Sequence, residues 1–164
     1  MARPLRERAD VYALRRWSVS HARGLNAIYR VFEPLLHRCH GLFSLIGYER
    51  LERPVAAIER GVKGLLFDCQ MCGQCVLSST GMSCPMNCPK EIRNGPCGGV
   101  LANGHCEVKP WMRCVWVEAF RGSERLPGGS ATMAAVQAPV DRARVGRSSW
   151  LQVVRDAAAG SKSP

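Results

Sequence analysis

Residues 68–100 read DCQMCGQCVLSSTGMSCPMNCPKEIRNGPCGGV, and Cys106 and Cys114 follow shortly after. The full spacing is Cys69-x2-Cys72-x2-Cys75-x8-Cys84-x3-Cys88-x8-Cys97-x8-Cys106-x7-Cys114. Three cysteines at two-residue gaps match the opening of the bacterial ferredoxin pattern, where a tight loop offers thiolates to one iron–sulfur cubane. Cys84-Pro85 and Cys88-Pro89 belong to the same style of site, because proline fixes φ and removes a donor that would need a partner. Gly73, Gly81, Gly95, Gly98 and Gly99 let such a loop turn tightly and approach a bound group without a Cβ. The eight thiols Cys69, Cys72, Cys75, Cys84, Cys88, Cys97, Cys106 and Cys114 are therefore the candidate metal ligands, enough for two [4Fe-4S] clusters. One or two structural zinc ions are the alternative, since Cys69-x2-Cys72 with Cys84-x3-Cys88 is also a Cys₄ zinc spacing. Cys69, Cys72 and Cys75 are expected to share a site. The spacing leaves open which of the other five completes that site, and the ferredoxin precedent, in which the fourth cysteine of a run serves the other cluster, favours a crossover.

Working outward, the 164 residues carry a formal net charge of +10 that is unevenly spread. Residues 1–50 hold nine arginines against four acids, whereas residues 51–120 hold seven bases against six acids. The centre is thus a near-neutral cysteine core with basic flanks. Clusters bound by thiolates carry negative charge, and Lys63, Lys90, Arg93, Lys109 and Arg113 are placed in sequence to offset it. The chain is too short for a (β/α)₈ barrel, which needs roughly 250 residues. No stretch has the length and apolarity of a signal peptide or a membrane span. The expectation is cytoplasmic, a reducing setting in which clustered cysteines bind metal more often than they pair as disulfides.

Three regions are expected: a helical arm over 1–66, a cysteine-rich metal-binding domain over 67–121, and a flexible basic tail over 122–164. In the arm, Tyr12, Trp17, Leu25, Ile28, Phe32 and Leu36 recur at helical spacing, with Pro34 expected to kink or divide the run. A further helix fits Pro54–Leu66, with Val55, Ile58, Val62 and Leu65 on an apolar face that needs a partner. Asn103-Gly104 predicts a short β-hairpin, with strands near 100–102 and 105–108. Pro110 predicts a helix over Trp111–Phe120, and Ser149–Ala159 a last short one. The fold class expected is α+β, organised by metal. Cys39, His37, His40 and His105 read as packing or surface residues rather than ligands, as do Trp111 and Trp116.

The segments CPKxxRNGPCGG (Cys88–Gly99) and CEVxPxxxC (Cys106–Cys114), with the cysteine run before them, resemble the methylenetetrahydrofolate reductase C-terminal domain family. They are also similar to the small subunit of the acetogen type of that enzyme. The resemblance covers about Leu65–Arg121. It implies a cysteine-rich, iron–sulfur accessory subunit beside a separate catalytic barrel subunit that carries FMN. It also implies a setting in one-carbon folate metabolism, with no catalytic residue in this chain. The competing class is a zinc-stabilised module for nucleic acid or protein binding, which the net charge alone supports.

Overall fold

The computed structural model describes residues 5–160, with side chains from Tyr12 onward. Four helices form the first part: α1 (Leu5–Ser20), α2 (Ala22–Arg38), α3 (His40–Ile46) and α4 (Tyr48–Phe67). Then come α5 (Val115–Ser123) and α6 (Ser149–Ala158), with short 3₁₀ turns at Pro85–Asn87, Gly129–Ala134 and Arg142–Arg144. Pro34 and Pro54 both lie inside helices. Each forfeits one amide donor without ending its helix. The breaks fall instead at His21, Cys39 and Gly47, whose φ of +94° turns the chain sharply into α4.

The α+β expectation is wrong: 56% of the structure is helix and no sheet forms among the described residues. The Asn103-Gly104 turn is made, but its arms pair only through the isolated bridges Val100–Cys106 and His105–Arg113. Leu101 N–H donates to His105 O at 2.9 Å and Glu107 N–H to Gly99 O at 3.2 Å, and pairing stops there. The next bonds go elsewhere: Cys106 N–H reaches Met112 O and Cys114 N–H reaches Gly104 O. Three segments thus share one rung each, too few for a ladder. Pro110 also sits in a turn rather than a helix, so α5 begins only after Cys114.

Burial on α4 runs opposite to its apolar pattern. The buried stripe is Ala56, Glu59, Lys63 and Phe67, whereas Ile58 and Leu65 are each 62% exposed. Phe67 and Ala22 join Leu77, Met82 and Leu126 in a core cluster against which Cys75 and Cys84 pack. The helical arm therefore lies directly under the cysteine loop, with α1 against both α4 and α5. Helix α6 packs on α2, α3 and α4 through the buried Leu151 and Val154.

Residues 141–149 cross the cysteine loop as a strap. Gly146 N–H donates to Met71 O at 2.7 Å, and Asp141 N–H to Gln74 Oε1 at 2.7 Å. Gly73 (φ +74°) lies so close beneath it that a Cβ would stand 2.3 Å from Arg144 O. A second close approach joins Gly81 (φ +57°) to α5, where a Cβ would stand 2.2 Å from Ser123 N. Gly81→Ala should therefore destabilise the protein by about 1–3 kcal/mol through forced repacking. Urea denaturation measures it, and a variant as stable as the parent would contradict the contact.

Candidate metal centre

Helix α4 ends by delivering the first cysteine. Asp68 adopts the left-handed conformation (φ 51°, ψ 50°) and Cys69 N–H caps back onto Lys63 O at 3.3 Å. Met71, one residue before Cys72, also has positive φ (49°). Non-glycine residues in this region store strain that persists only where the surroundings over-determine it. Cys69 Sγ accepts the Met71 N–H at 3.4 Å, and Cys72 Sγ lies 3.5 Å from Gln74 O.

Cys84 arrives from a separate turn. The Pro85–Asn87 turn is held by Asn87 N–H to Cys84 O and Cys88 N–H to Pro85 O. Asn87 ties it to the first loop, donating to Phe67 O at 2.9 Å and accepting from Gln70 Nε2 at 2.9 Å. As a result, Cys69, Cys72, Cys75 and Cys84 line one small cavity of about 20 Å³. The fourth cysteine lining it, Cys84, is the next one along the chain after Cys75. All nine cysteines are free thiols.

Two cations that sequence placement put near the core reach this cavity, Lys63 and Arg93, and both are buried. Arg93 donates Nη2–H to Gln74 O at 3.1 Å, while its Nε and Nη1 have no hydrogen-bond partner. Lys63 is held by Glu59, whose buried carboxylate had no separate signal in the sequence. Lys63 Nζ donates to Glu59 Oε1 and to Ser149 Oγ, both at 2.8 Å.

Burial pushes the Cys84 thiol up to about 12, with the thiols of Cys69, Cys75 and Cys72 adding to it against the Met86 N–H. Cys69 is pushed up to about 11 by burial, opposed by the Met71 N–H and by Lys63. For Lys63 burial works against the charge, but Cys75 and then Glu59 outweigh it and raise the ammonium's pKa.

The other four candidate cysteines are spread more widely. Cys88 packs with Cys106, Met112 and Val115, while Cys114 belongs to an adjoining cluster with Trp116 and Ala119. Cys97 is exposed, 4.0 Å from Glu107 Oε1, beside the Lys90–Glu107 ion pair. Among the described residues, no group of three or more His, Cys, Asp and Glu side chains is arranged to hold a metal ion. Of the residues read as packing groups, His105 Nδ1 meets Pro110 O at 2.7 Å and His40 Nδ1 meets Tyr48 Oη at 2.7 Å.

These thiols differ enough to be ranked by reactivity. In metal-free protein, iodoacetamide at neutral pH should modify Cys97 first and Cys84 last, read by mass spectrometry of peptides. The raised thiols also give a pH dependence. Ionisation in the unfolded chain begins near 9 but is withheld in the fold until about 11 for Cys69 and 12 for Cys84. Stability of the metal-free fold should therefore fall across that window, and Cys84→Ser should flatten the slope.

A family model described as "Methylene-tetrahydrofolate reductase C terminal" matches residues 48–143. No curated protein and no solved structure matches the chain. No helix among the described residues is long and apolar enough to cross a membrane. The matched region runs from the start of α4, through every cysteine of the two sets, to the first turn of the strap. The chain belongs to the methylene-tetrahydrofolate reductase C-terminal family.

Proposed function

We propose that this chain is an iron–sulfur accessory subunit of a flavin-dependent methylenetetrahydrofolate reductase, relaying electrons to a separate catalytic subunit that carries the FMN. The observation that carries the reading is the cavity walled by Cys69, Cys72, Cys75 and Cys84 and flanked by Lys63 and Arg93. Two buried cations beside four thiols fit a strongly anionic occupant. The unpartnered Nε and Nη1 of Arg93 need acceptors, since a buried donor left unmade costs about 1–3 kcal/mol.

The cysteine spacing favours iron–sulfur over zinc. A zinc ion needs all four sulfurs about 2.3 Å from one centre. A polynuclear cluster takes the same four-thiolate set with irons and sulfides between its ligands, and the Cys69-x2-Cys72-x2-Cys75 spacing is that of a cluster loop. When bound, such a group supplies one-electron transfer. The chain's own part is to hold the thiolates, balance their charge with Lys63 and Arg93, and cover the loop with the strap. Cys88, Cys97, Cys106 and Cys114 are the proposed ligands of a second cluster. The packing of Cys88 against Cys106 supports that assignment.

The catalytic subunit is the proposed occupant of the apolar face left open on α2 and α4. Val31 is 74% exposed and Ile28 68%, facing outward as Ile58 and Leu65 do. A groove of about 250 Å³ between these helices is lined by Leu25, Ile28, Phe32, Val62 and Trp150, and shares Cys75 and Lys63 with the thiol cavity. A contiguous exposed apolar patch of this kind marks an interaction site. A redox group docked here would sit on the Cys75 side of the cluster.

Anaerobically purified protein should contain iron and acid-labile sulfide in near-equal amounts, show an EPR signal on reduction, and lose much of both in Cys72→Ala. Stoichiometric zinc without iron would overturn the relay. Ile58→Asp combined with Val62→Asp should leave the metal content intact and weaken capture of the catalytic subunit at least tenfold, about 1.4 kcal/mol. Unchanged capture would move the interface elsewhere.

A further inference from the structure

We infer that Lys63 is a positioning residue that sets the reduction potential of the group held by Cys69, Cys72, Cys75 and Cys84, as a fixed positive charge locked in place by Glu59 and the start of α6. The inference rests on the iron–sulfur reading of that cavity and adds to it which residue tunes the site.

Lys63 is only 3% exposed, and Glu59 beside it 1%. Burying an ion pair this deeply is costly unless the geometry is good and the remaining polar atoms are satisfied. Here they are. Besides the two bonds from Lys63 Nζ, Glu59 Oε1 accepts from Ser149 Oγ at 2.5 Å and Glu59 Oε2 from Ser148 Oγ at 2.6 Å. The Trp150 N–H points at Glu59 Oε2 at 3.4 Å, and the Trp150 ring lies 5.3 Å from Lys63 Nζ. The carboxylate thus sits at the N-terminus of α6, where the helix dipole favours negative charge.

The pair also borders the thiols. Lys63 and Glu59 line the same cavity as Cys69, Cys72, Cys75 and Cys84, and Cys75 and Glu59 both favour the charged ammonium. A pair serving only to anchor α6 has no need of a place in that wall.

Reduction adds one electron to the bound group. No bond to the protein forms or breaks, and no proton moves, because Lys63 keeps its charge in both states. The electron comes from a dithionite-class reductant in the test and from the redox partner in the assembly. A fixed positive charge beside the site favours the reduced state, which carries one more negative charge.

The test is an EPR-monitored potentiometric titration of the full chain, reconstituted anaerobically with iron and sulfide. Lys63→Met should shift the reduction equilibrium at least tenfold toward the oxidised state, about 59 mV for one electron. Lys63→Arg, which keeps the charge, should stay within threefold of the parent. Glu59→Gln removes the opposing charge and should shift the equilibrium the other way. It carries the test if Lys63→Met does not fold. A parent protein that takes up no iron overturns the cluster reading and this inference together. Iron present with Lys63→Met or Glu59→Gln titrating as the parent overturns the role of Lys63 alone.

Discussion

Two basic side chains buried against four thiols are the constraint around which the rest of the molecule is arranged. Lys63 and Arg93 are shielded from water, and each needs negative charge or hydrogen-bond acceptors close by. Glu59 supplies part of this for Lys63, and the thiols of the cavity supply more. Arg93 has only Gln74 O, and its Nε and Nη1 are buried without a hydrogen-bond partner. On the proposed reading, the balancing charge is brought in as thiolates around metal, and loading and stability would then be one equilibrium.

That constraint accounts for the path of the chain. The stripe of α4 turned inward is the one holding Glu59 and Lys63, so its apolar residues are left outward. The serines at the head of α6 bind the far side of Glu59, and the strap before them reaches the loop through Met71 O and Gln74. The last helix and the cysteine loop are thereby tied to one buried pair. Loss of the pair would release both.

Much of the centre was legible in the cysteine spacing, because covalent sequence distance alone confines Cys69, Cys72 and Cys75 to one loop. The cations Lys63 and Arg93 could be guessed from their nearness to that loop, but Glu59 could not. An acid on a helix reads as solvated unless its partners are known, and Ser148 and Ser149 lie about ninety residues away. The same blindness to long-range partners explains the inverted face of α4: periodicity finds the apolar stripe, not which stripe is buried. The hairpin failed for a local reason. Asn103-Gly104 does turn the chain, but Cys106 and Cys114 spend their amides on Met112 and Gly104, and the pairing never grows. The composition of 126–147 is small and polar, and nothing in it foretold that residues 141–149 would lie across Gly73.

The most direct measurement is an anomalous difference map, collected at the iron absorption edge from crystals of the anaerobically grown protein. The account predicts a strong peak centred among Cys69, Cys72, Cys75 and Cys84, with Arg93 turned toward it. No iron peak there, or density joining those thiols in pairs, would contradict it.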